Sequence, residues 1–229
     1  MSIAENLQAI YDNIKKSALD CGRDPEEIQL VAVSKRFPVT AIEEAYAAGQ
    51  TVFGENYIQE AEGKASELGG KCTLHFIGHL QRNKAKIAAR IFDVIETIDT
   101  FKLANTLNRH LEDLDRTMKI LLQVNIGEDE HKSGMAAEQT EQLLREISEL
   151  SRLKVIGLMT MPPFTDDPED ARPYFRQLKQ LADSLAAKGL FAEGEKVELS
   201  MGMSNDYHVA IEEGATIIRV GTAIFGQRA

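Results

Sequence analysis

Only two cysteines, Cys21 and Cys72, occur in 229 residues, with no CxxC spacing and no third or fourth thiol. A disulfide framework and a cysteine-based zinc site both need more, so a reducing, cytoplasmic setting is expected. Basic residues are short as well: 26 Lys and Arg stand against 36 Asp and Glu. That balance opposes non-specific attraction to nucleic acid or to an anionic membrane, and neither is expected as a partner. No apolar run approaches the length that crosses a bilayer. The N-terminal MSIAENLQAIYDNIKKSALDCG spreads acids and lysines through an amphipathic pattern, whereas a secretory leader has a basic region followed by an apolar core. Glycine-serine linkers, long charge runs and low-complexity tracts are missing, so one domain over residues 1–229 is expected.

What is present is alternation. Ser2 and Glu5 have capping-box spacing before Leu7, Ile10, Ile14 and Ala18, a helical stripe that Gly22 can stop. Eight short apolar runs follow: IQLVAVSK, TVFGEN, TLHFIGH, DVIETID, KILLQVN, KVIGLMTM, KVELSMGMS and TIIRVGTAIFG. Seven stretches able to form amphipathic helices lie between them. Strands alternating with helices imply parallel pairing through right-handed crossovers, and eight strands favour closure into a (β/α)8 TIM barrel over an open doubly wound sheet. After Phe225 only GQRA remains, so the last helix of the pattern is missing and the extra N-terminal helix is expected to cover the gap.

In such a barrel the reactive face is built where the strands end. The first strand ends on Lys35, in line with Val31 and Val33 along one face of an extended chain. One reading is a lysine that snorkels into solvent. The other is an amine whose pKa is lowered by low-dielectric walls, making it a nucleophile toward a carbonyl. SMGMSND and RVGTAIFG, at the seventh and eighth strands, supply glycines and hydroxyls where barrels frequently bind phosphate, although Ser204, Asn205 and Asp206 could simply cap the next helix. Arg219 stands in an apolar run, where a cation needs a partner or a ligand acceptor. An aldehyde-reactive lysine, an arginine on the neighbouring strand and a phosphate cradle describe pyridoxal 5′-phosphate.

The sequence resembles the pyridoxal-phosphate homeostasis proteins, called YggS or PROSC proteins, which share the barrel of alanine racemase and other fold-type-III enzymes. The likeness runs through AVSKRFP, FGENYIQEAEGK, HFIGHLQRNK, LLQVNIGEDEHKSGM, GLMTMPP and LSMGMSNDYHVAIEEGATIIRVGTAIFG. It implies that Lys35 carries the cofactor as a Schiff base and that Arg219 faces the pyridine nitrogen. Ser200, Met201, Gly202, Ser204, Gly221 and Thr222 would surround the phosphate, with Asn56, His79 and Met159 as wall residues. An arginine at the ring nitrogen opposes its protonation and weakens the ring as an electron sink. The resemblance therefore implies a role in vitamin B6 homeostasis, with no robust catalytic activity and with cofactor-dependent apoenzymes as possible recipients.

Rival readings are a weak amino-acid racemase, with Tyr57 or His79 as the base opposite Lys35, a lysine-dependent aldolase, and a pure scaffold. His75 and His79 share one side of a strand but have no third ligand at a telling spacing, so no metal is expected. HLQRNKAK reads as a solvated helix start, and His131 and Lys132 in EDEHKSGM as a solvated turn. Nothing in the proposed site requires a second chain, so a monomer is expected.

Overall fold

In the computed structural model, which describes residues 2–127 and 133–226, the chain opens on its capping box. The Glu5 amide donates to the Ser2 hydroxyl at 3.2 Å, and the Ser2 amide donates to the Glu5 carboxylate at 2.7 Å. Helix α1 (Ile3–Asp20) buries Leu7, Ile10, Ile14 and Ala18. Gly22, at φ 75°, lets the chain turn just beyond it.

Eight strands follow: β1 (Gln29–Val33), β2 (Val52–Glu55), β3 (Thr73–Phe76), β4 (Val94–Ile98), β5 (Met118–Gln123), β6 (Leu153–Met159), β7 (Glu198–Ser200) and β8 (Ile217–Val220). They are joined in order by α2 (Val39–Ala47), α3 (Ile58–Leu68), α4 (Ala85–Ile91), α5 (Phe101–Asp113), α6 (Thr140–Ile147), α7 (Arg172–Ala186) and α8 (Tyr207–Glu212). All neighbours are parallel, and β8 returns to β1 with Leu30 opposite Ile218 and Val31 opposite Arg219. The sheet is a closed (β/α)8 barrel, not a doubly wound one. One detail departs from expectation: β8 is followed by a single helical turn, α9 (Thr222–Phe225). Helix α1 does cover the seam, packing on α2, α8 and α9. Asn6 Nδ2 donates to the Ile224 carbonyl at 2.8 Å, and Arg23 donates to the carbonyls of Ile211 and Ala215.

Side-chain alternation sorts the core into two layers. Leu30, Ala32, Phe53, Phe76, Ile120, Ile218 and Val220 face the helices. Val31, Val52, Val94, Leu121, Ile156, Met159 and Ile217 fill the barrel. Barrel packing leaves no room at Gly157 on β6, where a Cβ would fall 1.9 Å from the carbonyl oxygen of Glu198 on β7. Gly157→Ala is expected to cost about 3 kcal/mol or more, because backbone must move and ladder bonds must break. A lowered urea midpoint measures it. Among the described residues no helix is long and apolar enough to cross a membrane.

Candidate functional site

At the C-terminal mouth of the barrel lies a cavity of about 340 Å³. Val33 and Ile77 form apolar wall, Lys35 and Asn56 come from the ends of β1 and β2, and Arg219 comes from β8. Ser204, Asn205 and Asp206 enter from the loop after β7, Gly221 and Thr222 from the end of β8, and Met161 and Phe164 from the loop after β6. Phe164 is 77% exposed at the rim. The parity read from the sequence holds for Val31 and Val33, which point inward, but β1 ends at Val33 and Lys35 enters the cavity from the turn beyond it.

Arg219 is 3% exposed and held from three sides. Its Nη1 donates to Ser200 Oγ, its Nη2 donates to the Thr160 carbonyl at 2.9 Å, and the Glu96 carboxylate stands 3.9 Å away. Ser200 passes the bond on, donating to Glu96 Oε2 at 2.5 Å, while His75 Nδ1 donates to Glu96 Oε1 at 2.7 Å. A polar chain thus crosses the barrel interior from β3 to β8. Burial drives Glu96 upward, but the bonds from His75 and Ser200 and the charges of His75 and Arg219 outweigh it, leaving the carboxyl below its ordinary range. Burial lowers Arg219 from its ordinary value, opposed by Glu96 and Asp206.

The two loops after β7 and β8 meet at Thr222 Oγ1, which donates to Ser204 Oγ at 3.4 Å. Gly202, at φ 92°, allows the first loop to close: a Cβ there would meet the Ala210 Cβ at 2.6 Å. Asp206 stands at the N-cap of α8 without capping it. Its carboxylate instead takes the Met203 amide at 2.6 Å and folds the loop back. Burial pushes the Asp206 carboxyl up, against the Met203 amide and the charge of Arg219.

Lys35, Asn56, Ser204, Arg219, Gly221 and Thr222 therefore share one cavity, as their positions at strand ends predict. Ser200 lies beneath it, bonded to Arg219. Met201 points the other way, into the layer under the helices, because it is one residue on from inward-facing Ser200. Met159 is buried inside the barrel with Val31 and Ile217 and is not in the cavity lining. His79 is exposed and borders a separate cleft with Tyr57 and Lys84. His75 is committed to Glu96, and among the described residues no group of His, Cys, Asp or Glu is arranged to hold a metal ion. His131 and Lys132 lie outside the described residues.

Sequence reasoning read Asp206 only as a possible cap for the next helix, and it missed Glu96 and the second cluster around Lys35. There Lys64, from α3, is 6% exposed and donates to the Ser34 carbonyl at 2.8 Å, to Glu55 Oε1 at 2.7 Å and to Glu60 Oε1 at 2.6 Å. Ser34 Oγ donates to the same Glu55 oxygen at 2.6 Å. Burial pushes the Glu55 carboxyl up in spite of both partners. The signal for Glu96 was available: it is two residues from inward-facing Val94, the single charge inside VIETI.

The profile of the alanine racemase N-terminal domain matches residues 6–229. A protein of Vibrio alginolyticus named pyridoxal phosphate homeostasis protein is 42% identical, with 99% of this chain and 98% of that one covered. The Escherichia coli K12 protein of the same name is also 42% identical, over 99% of this chain and 97% of its own. PipY of Synechococcus elongatus, solved with PLP bound, is 38% identical with a TM-score of 0.83, covering 98% of this chain and 100% of that one. The alanine racemase of Clostridium difficile, 16% identical with a TM-score of 0.73, shares the fold; this chain covers 56% of it. The chain belongs to the alanine racemase N-terminal domain family and, within it, to the group whose curated members are named pyridoxal phosphate homeostasis proteins.

Proposed function

We propose that this chain is a pyridoxal 5′-phosphate-binding protein of intracellular cofactor homeostasis, with residues 1–229 acting as one binding domain. The observation that carries the reading is the shared cavity: an amine from β1, a guanidinium from β8, and two hydroxyl-bearing loops in contact with each other. The residues fit the group. The chemistry that the cofactor supplies when bound is an aldehyde carbon open to attack by an amine. Lys35 supplies that amine. Arg219, fixed by Ser200, Thr160 and Glu96, holds a cation at the cavity floor and opposes the arrival of a second positive charge there. Ser204 and Thr222, with Gly221 and the bend at Gly202, offer a small, hydroxyl-lined recess for a phosphate. The names of the relatives and the PLP-bound PipY support the same reading.

A supplier of cofactor, without robust amino-acid chemistry, agrees with the geometry better than a racemase does. Tyr57 is 45% exposed and its hydroxyl accepts from Arg36, while His79 faces the neighbouring cleft; neither lines the cavity. The test is direct. The purified protein, incubated with pyridoxal phosphate, is expected to absorb visible light, to lose that colour on borohydride reduction, and to carry the pyridoxyl mass on the Lys35 peptide. A protein that stays colourless and unmodified overturns the reading.

A further inference from the structure

Lys35 does not sit on a relaxed strand end. Ser34 through Phe37 form a tight turn closed by the Phe37 amide donating to the Ser34 carbonyl at 3.1 Å. Lys35 is the second residue of that turn and Arg36 the third, with φ 65°. Such a turn normally takes glycine or asparagine at the third position, and an ordinary side chain there is strained. The strain is retained because the surroundings fix both peptide groups flanking Lys35. On one side the Ser34 carbonyl accepts from Lys64 Nζ at 2.8 Å, and on the other the Arg36 amide donates to Glu60 Oε1 at 2.5 Å. Lys64 and Glu60 are one turn apart on α3 and bond each other at 2.6 Å, so a single rigid helix grips the turn from both ends. Ser34 is pinned a second time through Glu55, and Phe37 stacks on Phe225 with ring centroids 5.1 Å apart.

We propose that Lys64, acting with Glu60, is a positioning residue that holds this strained turn and thereby aims the Lys35 amine into the cavity. The inference rests on Lys35 being the cofactor lysine. The clamp acts on the direction of one side chain and on no group that lines the phosphate recess, which gives it a distinct signature. Pyridoxal phosphate reads the recess plus the bond to Lys35; pyridoxine phosphate, which lacks the aldehyde, reads the recess alone.

The experiment measures both affinities, with the borohydride-trapped fraction on Lys35, in the full chain and in three variants. Lys64→Met is expected to weaken pyridoxal phosphate by about tenfold or more, since a displaced amine loses its bond, while pyridoxine phosphate changes by less than about twofold. Glu60→Ala, at a partly exposed site that the fold tolerates, is expected to show the same split at about threefold, the loss of one charge-assisted bond. It carries the test if Lys64→Met leaves Glu55 too poorly compensated to fold. Arg116→Met is the control: it removes bonds to the Ala89, Arg90 and Phe92 carbonyls at the opposite end of the barrel and is expected to alter neither affinity. Equal losses for both ligands in the Glu60 and Lys64 variants, or no loss, overturn the clamp. A wild-type chain with no trapped adduct overturns the reading of Lys35 itself.

Discussion

Glu96→Gln is expected to destabilise the protein by about 3–5 kcal/mol, the cost of leaving a buried cation without its countercharge. Arg219 is the cation, 3% exposed, with no other carboxylate among the described residues forming an ion pair with it. The amide also has one oxygen for two donors, so either His75 Nδ1 or Ser200 Oγ is left facing an NH2 group that cannot accept. Removing Arg219 as well, as Met, takes away the unpaired charge, so the double variant is expected to be more stable than Glu96→Gln alone. Urea unfolding of wild type, both single variants and the double variant closes the cycle. The pH dependence has a definite sign. Glu96 lies below its ordinary carboxyl range when folded, so its contribution is fully present above the unfolded value and disappears as pH falls through the folded one. The gap between wild type and Glu96→Gln is therefore expected to narrow as pH falls below the ordinary carboxyl range.

Lys35→Ala is expected to abolish the borohydride-reducible adduct completely while changing stability by about 1 kcal/mol or less. Lys35 lies beyond the end of β1 and is partly exposed, outside both core layers, where truncation removes little packing. Visible absorbance, peptide mass mapping and thermal unfolding on the same sample separate the two effects. A scaffold in which Lys35 merely snorkels predicts no colour in either protein. If Lys35→Ala still forms the adduct, another lysine carries it, and the assignment of Lys35 fails.

Much of the architecture was legible because apolar runs and turn signals alternate without interruption, and eight runs close a barrel. Period-two alternation put Val31 and Val33 on the inward face, but Lys35 reaches the cavity from the turn after β1, where that alternation no longer runs. It gave less elsewhere. Register shifts between β5 and β6, where Ile120 opposes Val155 but Leu121 opposes Gly157, so Met159 faces inward three residues after Ile156. Glu96 and Lys64 were invisible as partners because their bonds join residues distant in sequence, to Ser200 and Ser34. The single turn α9 was missed because four residues are too few to set up a helical period.

The pairing of β1 with β8 also sets when the site can exist. Val31 and Arg219 are partners across the closing seam, yet they are far apart in sequence. During synthesis Lys35 and its clamp on α3 leave the ribosome well before β8, which supplies the floor of the cavity. Contacts of such long sequence separation are slow to form, because the intervening chain must be ordered first. On the proposed reading, ligand capture is a checkpoint on completed folding: a nascent chain not yet carrying β8 presents the lysine without the arginine, and bound ligand in turn fastens β1 to β8.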